Sequence, residues 1–341
     1  MKTPAQLGYR MPAEWEPHAG TWLSWPRREG ISFPGRFDEI LPAYSAMVRA
    51  LSAGEGVFIN VCNEAHETES RSVLEDHDAL NENITFHHHP TDEPWCRDHG
   101  PIFVKNGASL AVINWGYNAW GGKYPPFDND NAIPSRISET RGVPAYDPSM
   151  ILEGGSIEVN GAGTLLTTES CLLNHNRNSN LTRDQIEQNL CNHLGVSQIY
   201  WLSDGIDGDD TDGHIDNLAR FVNSTTIVTA VEPNSIDPNH APLAENRRRL
   251  KATLFEIIEL PMPPPLHHEG ERLPASYANF YVGNTVVLLP TFNCPTDTKA
   301  EKILQNCFPT REIKPIDSTA LLWGLGSFHC LTQQEPAAPC A

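Results

Sequence analysis

No stretch of eighteen or more consecutive apolar residues occurs in the 341-residue sequence, which excludes a hydrophobic transmembrane helix. The opening residues, MKTPAQLGYR, lack the apolar segment and small-residue cleavage site of a secretory leader, so a cytoplasmic location is expected. Closely paired cysteines are missing too. The eight cysteines, Cys62, Cys96, Cys171, Cys191, Cys294, Cys307, Cys330 and Cys340, contain no C-x-x-C pair. That argues against a zinc ribbon or a thioredoxin-like site. Without a secretory leader, free thiols are expected rather than disulfides, and most of them should be inert and buried.

Positive charge is scarce: 24 Lys and Arg stand against 43 Asp and Glu, for a formal net charge of -19. Nucleic-acid binding depends on cationic neutralisation of phosphates, so this balance argues against it. A negative field does raise the encounter rate with cationic ligands, although solubility alone also accounts for it. The 39% hydrophobic and 20% charged content is that of a soluble globular protein. No low-complexity linker divides the chain. One domain spanning 1–341 is expected, with EPAAPCA (335–341) as a loose tail. A homo-oligomer is compatible with the sequence but not specified by it.

What the chain does contain is a recurring unit: a polar residue, a strand, a turn with Asn or Gly, and a second strand. It is legible in RDHGPIFVKNGASLAVINW, LEGGSIEVNGAGTLLTTE, GHIDNLARFVNSTTIVTAV and NFYVGNTVVLLP, with Asn106-Gly107 and Asn160-Gly161 as hairpin signals. A further copy begins at EPHAGTWLSWP and continues to VFINV. Between the hairpins lie segments of helical period. FDEILPAYSAMVRALS places Ile40, Tyr44, Met47 and Leu51 on one face. LTRDQIEQNLCNHLG opens on Thr182 as N-cap and closes at Gly195, and TDTKAEKILQNCF forms a third.

The polar leaders Asp98, Glu153 and His214 are 55 and 61 residues apart, and Cys330 follows 116 residues later. A radial repeat would bring these leaders to a common axis; a shared ββα grammar without a functional centre would give the same weak similarity. Cys330, in GSFHCLTQQEP, reads as a strand residue over Ser327–Leu331, sharing a face with Phe328 while His329 points away. His329 is then a poor base for Cys330, and a strand cysteine is more often core than nucleophile. His214 and Asp216 are two apart on an apparent strand and project to one side, where a carboxylate can fix a histidine's tautomer. Asp98 and Glu153 each precede Gly or Pro closely enough to be simple turn residues. Trp95 and Trp120 could line a pocket or fill a core.

Metal sites find little support. The acidic run Asp207, Asp209, Asp210 and Asp212 fails the spacing of a calcium loop. His87, His88 and His89, and likewise His267 and His268, lack partners at ligand spacing.

Taken together, RMPAEWEPHAGTWLSWP, PWCRDHGPIFV, NWGYNAWGGKYPPFDND, LEGGSIEVNGAGTLLTTESCLLNHNRN, DDTDGHIDNLARF and GSFHCLTQQEPA resemble the agmatine deiminase family. This family is related to bacterial peptidylarginine deiminases within the guanidine-modifying pentein superfamily. The resemblance runs in order from about Arg10 to Pro336. It implies an α/β fold: a five-bladed, pseudo-symmetric propeller of ββαβ modules around a central site. It implies Cys330 as nucleophile, His214 as general acid and base, and Asp98 and Asp216 as guanidinium ligands. Glu153 would pair with His214 and contact the guanidinium end, and Trp95 would flank the site. No metal or organic cofactor is implied. The family commonly carries three glycines and Asn-Ile before the His-Cys pair, where Leu325, Ser327 and Phe328 stand here; it often has Asn in place of Asp212 and Thr in place of His99.

The expected reaction is hydrolysis of agmatine to N-carbamoylputrescine and ammonia, a step toward putrescine. A small cationic guanidine is then the partner, with Asp209, Asp210 or Asp212 meeting its distal ammonium. Deimination of arginine, free or peptidyl, is the rival reaction, with Arg97 or Arg220 open as carboxylate ligands. A non-catalytic binder of cationic amines on the same scaffold is the rival of another class.

Overall fold

The computed structural model describes residues 2–338, so Cys340 and the last of the expected tail lie outside the described residues. The fold is mixed α/β. A hairpin unit recurs in it with one topology: two antiparallel strands, a crossover helix, and a third strand parallel to the second. Ile102–Asn106, Ser109–Ile113 and Ala145–Tyr146 form one such sheet, with helix Ile133–Arg141 before the third strand. Glu158–Val159, Thr164–Thr168 and Gln198–Leu202 form the next, around helix Arg183–Leu194. Ala219–Asn223, Thr226–Val231 and Glu256–Pro261 follow, around His240–Lys251. Tyr281–Val282, Val286–Thr291 and Glu312–Asp317 use Thr296–Cys307.

Besides a two-stranded ribbon of His267–His268 and Glu271–Arg272, a further sheet joins the two ends of the chain. Thr332–Pro336 pairs antiparallel with His18–Ser24, which runs parallel to Gly56–Val61 after helix Phe37–Ser52; Ile84–His88 extends it. Glu335 and Pro336, expected in the loose tail, therefore belong to a strand. Trp22 Nε1 donates to Glu335 at 2.7 Å, and Arg141 Nε donates to it at 2.8 Å. The charged and Pro-rich composition concealed this strand, whose Gln333 and Gln334 are also buried.

The three helices that periodicity predicts all form. Ile40, Tyr44, Met47 and Leu51 are all buried on Phe37–Ser52. Arg183–Leu194 begins with a capping box between Thr182 and Gln185 and ends at Gly195, whose φ of 66° is left-handed. The middle strand of each unit is flanked on both sides, and the run Val286–Pro290 is accordingly buried throughout.

Five short helical turns precede the first strands of these five sheets: Cys96–His99, Gly154–Ser156, Ile215–Asn217, Tyr277–Asn279 and Phe328–Leu331. Each packs against the next, and Phe328–Leu331 packs back onto Cys96–His99, so the contacts close into a circuit. The polar leaders sit on or just before these turns.

Candidate active site

The circuit of turns overturns two local readings. Cys330 lies on the helical turn Phe328–Leu331, not on a strand, and His214 caps the turn Ile215–Asn217. Four-residue alternations such as Phe-His-Cys-Leu cannot separate a strand from one turn of helix. The convergence of His214 and Asp216 nevertheless holds, by another route. Both side chains close around Gly155: a Cβ there would lie 2.6 Å from His214 Nδ1, 2.7 Å from Asp98 Oδ1 and 3.0 Å from Asp216 Oδ2. Only a residue without a side chain lets these groups approach.

Asp98, Glu153, His214, Asp216 and Cys330 thus come together, all of them buried. His214 lies between two carboxylates, its Nδ1 3.6 Å from Asp98 Oδ1 and its Nε2 3.9 Å from Glu153 Oε2. Burial disfavours the imidazolium, but Asp98, Cys171 and Glu153 outweigh it and raise the His214 pKa well above 6.5. Burial, reinforced by Asp216 and Glu153, pushes Asp98 up to about 6 against the opposing charge of His214. Burial also raises the pKa of Glu153, yet the Arg177 guanidinium, whose Nε donates at 2.7 Å, leaves it below the ordinary value. Glu153 Oε2, Asp216 Oδ1 and both ring nitrogens of His214 have no hydrogen-bond partner among the described residues. Four such atoms in one buried cluster mark a place built for a polar ligand.

The Cys330 thiol is held well above 9 by burial and by the charges of Asp216 and Asp98. Its sulfur lies 3.7 Å from Asp216 Oδ2 and accepts from Asn279 Nδ2 at 3.1 Å. Cys96 is likewise buried and pushed up to about 12 by desolvation, but it does not line the cavity that reaches Cys330.

A cavity of about 200 Å³ reaches Cys330 and Asp98. Trp95 and Trp120 are both in its wall, where Trp120 Nε1 donates to Asp98 Oδ2 at 2.9 Å. Gly326 runs against Trp95, and a Cβ there would meet the indole at 2.4 Å. Leu325 beside it takes φ 66°, a left-handed conformation at a position where glycine would be unstrained. The lining contains the carboxylates Glu93, Asp98 and Asp210 and no Lys or Arg.

Asp212 is not in that lining. Its carboxylate is taken by Arg177 Nη1 at 2.6 Å and Lys123 Nζ at 2.9 Å. Asp210, held by Tyr124 and Lys123, is the member of the acidic run that reaches the cavity. Asp209 braces the turn instead, accepting from the backbone N–H groups of Thr211 and His214. Arg97 and Arg220 are buried on Glu14, at 3.2 and 2.8 Å, away from the cavity wall.

The histidine runs do not assemble into a ligand set. His87 and His89 lean on Trp22, while His88 faces Glu67. The group with metal-ligand proximity among the described residues is Glu153, Cys171 and His214, within 4.8 Å of one another. Arg177 already places a buried positive charge on Glu153, which opposes a cation there.

Sequence reasoning passed over Asn279, Arg177 and Glu14. Asn279 opens the unit NFYVGNTVVLLP, at the same place as the other leaders, and that position was the available signal. Arg177 and Glu14 carried no signal beyond membership in the motifs LLNHNRN and RMPAEWEP.

Comparison with known proteins places the whole chain. Residues 10–336 match the family model of the Porphyromonas-type peptidyl-arginine deiminases. An agmatine deiminase of Pseudomonas fluorescens is 37% identical, over 98% of this chain and 97% of its own. The structure of a C. jejuni agmatine deiminase with substrate bound superposes with a TM-score of 0.90 at 34% identity, covering 97% of each chain. An Enterococcus faecalis agmatine deiminase gives 0.92 at 30% identity, over 99% of this chain and 98% of that one. The chain therefore belongs to the Porphyromonas-type peptidyl-arginine deiminase family.

Proposed function

We propose that this chain is an agmatine deiminase, a hydrolase that converts agmatine to N-carbamoylputrescine and ammonia. The observation that carries the substrate choice is the cavity wall, which offers three carboxylates and no basic side chain on the way to Cys330. Agmatine has a cation at each end and no carboxylate. Arginine would bring a carboxylate into this wall with nothing to receive it, at the cost of an unpaired buried charge.

In the reaction, Asp98 and Asp216 hold the guanidinium by charge-assisted hydrogen bonds, and Glu153 Oε2 takes a further N–H. The bound cation offsets the carboxylate charges that keep Cys330 protonated; the thiol then releases its proton to solvent, and the resulting Cys330 thiolate attacks the guanidinium carbon. His214 gives its proton to the departing amino group, which leaves as ammonia. The amidino carbon stays bonded to the sulfur and to the alkyl nitrogen, as an S-thiouronium. His214, now neutral, takes a proton from water; the hydroxide adds, the carbon–sulfur bond breaks, and N-carbamoylputrescine departs. Trp95 and Trp120 flank the chain of the substrate. Asp210, the more exposed carboxylate of the wall, meets the distal ammonium.

The five sheets, with their closed circuit of leader turns, support a five-bladed propeller around this centre, forming one catalytic domain. Among the described residues no helix is long and apolar enough to cross a membrane; a cytoplasmic location and a putrescine-forming role are part of the proposal. Product analysis with agmatine, free arginine and a peptidyl arginine side by side tests the proposal. Ammonia and N-carbamoylputrescine should form from agmatine; citrulline as the preferred product would replace this reading with arginine deimination.

A further inference from the structure

His329 is buried beside the nucleophile, and both of its ring nitrogens face carboxylates. Nδ1 is 2.7 Å from Asp216 Oδ2, and Nε2 is 2.9 Å from Glu14 Oε2. Burial raises the pKa of both acids, yet both lie below the ordinary range: Arg220 and Arg97 help lower Glu14, and the hydrogen bond from His329, with His214 and Arg220, lowers Asp216. Ionised carboxylates only accept hydrogen bonds, so a ring with one on each side donates from both nitrogens and carries a positive charge. The backbone fixes this ring as well: the His329 N–H donates to Asn279 Oδ1 at 3.1 Å, and its carbonyl accepts from Arg97 Nε at 3.4 Å.

We propose that His329 is a positioning residue that, as an imidazolium braced by Glu14, occupies Asp216 Oδ2 and offsets its charge beside Cys330. Two consequences follow from the atoms involved. With Oδ2 taken, Asp216 Oδ1, a buried oxygen without a partner, is the one presented to the guanidinium. Asp216 Oδ2 is also the oxygen 3.7 Å from Cys330 Sγ, where an uncompensated negative charge would oppose the thiolate. The charged groups facing this assembly are Asp98 and Asp216 at the sulfur, His214 on the far side of Asp216, and Glu14, Arg97, Arg220 and Glu158 behind the ring. The strand reading of the sequence placed His329 away from Cys330 as a base, and it is no base here. It acts on the sulfur through Asp216.

The inference rests on Cys330 being the nucleophile, and its test is read without substrate. The rate of Cys330 alkylation by iodoacetamide, followed by peptide mapping across pH, reports thiolate formation. His329→Gln keeps a donor for Asp216 but loses the charge, and its profile should move up by about one pH unit, roughly tenfold less thiolate at a given pH. Glu14→Gln, which leaves the ring in place and removes one brace, should move it in the same direction by less. In turnover of agmatine, kcat should fall while KM stays level or drops, because Asp216 becomes more negative toward the cation. Unchanged alkylation profiles in both folded variants would overturn the proposal, as would a loss confined to KM, which marks a merely structural role. Failure of the wild-type protein to release ammonia from agmatine would instead count against the functional reading and leave the alkylation result standing.

Discussion

Asn279 Nδ2 lies 3.1 Å from the sulfur of Cys330, while its Oδ1 accepts the backbone N–H groups of His329 at 3.1 Å and Cys330 at 3.4 Å. One amide side chain from the turn Tyr277–Asn279 therefore holds the nucleophile's backbone and offers a hydrogen bond to its thiolate.

Replacing Asn279 by Ala should lower kcat about tenfold, because the sulfur loses a donor that favours thiolate over thiol, an effect of about one pKa unit. Two buried N–H groups would also lose their acceptor, at about 1–3 kcal/mol each, so the melting temperature should fall as well. KM should change little, because Asn279 is absent from the cavity wall. Steady-state kinetics and a thermal melt check this; an unchanged kcat would remove Asn279 from the account.

The pH dependence of binding is set by Asp98, which burial raises to about 6. As pH falls from about 7 to about 5, this group takes up a proton and loses the charge that pairs with guanidinium. Agmatine affinity should weaken across that window. Near pH 6, binding should release a proton, because the bound cation favours the carboxylate. Calorimetry on Cys330→Ser, in buffers of different ionisation enthalpy, measures both quantities. Affinity flat across the window, or proton uptake on binding, would contradict the assignment.

Metal removal should not matter. Arg177 supplies the positive charge next to Glu153 in the one cluster with ligand proximity among the described residues. Dialysis against a strong chelator should leave kcat unchanged. Loss of activity restored by a single divalent ion would point to Glu153, Cys171 and His214 as a metal site.

The carboxylates and the histidine should fail differently. Asp98→Asn or Asp216→Asn weakens the grip on the guanidinium and should slow formation of the covalent adduct. His214→Asn removes the group that activates water, an effect of about 10²–10⁴-fold, and should let adduct accumulate wherever attack still occurs. Rapid quenching and intact-mass measurement separate the two. Heavy adduct in Asp98→Asn with none in His214→Asn would reverse the assigned roles.

The elements visible in the sequence were those with long periodic signals. Helix Phe37–Ser52 and the capped helix Arg183–Leu194 were legible because apolar period and capping chemistry agree with their packing. The turns bearing Cys330 and His214 were not, because three or four residues cannot display a period. Spacing brought Asp98, Glu153, His214 and Cys330 into one hypothesis, and the structure places them together. Arg177, Glu14 and Asn279 act through contacts made far along the chain, such as the 315 residues between Glu14 and His329. No local pattern encodes such a pairing. Asp212 looked available because its sequence neighbours are acidic; its cationic partners, Lys123 and Arg177, come from other segments.

The central claim is covalent catalysis by Cys330 on agmatine, and the most direct measurement is the intact mass of the wild-type chain quenched in acid during turnover. The chain should gain the mass of agmatine less that of ammonia, mapped to the peptide carrying Cys330. Cys330→Ser should show neither the gain nor turnover, because oxygen is the weaker nucleophile here. A gain on another cysteine, or substantial turnover in Cys330→Ser, would contradict the account.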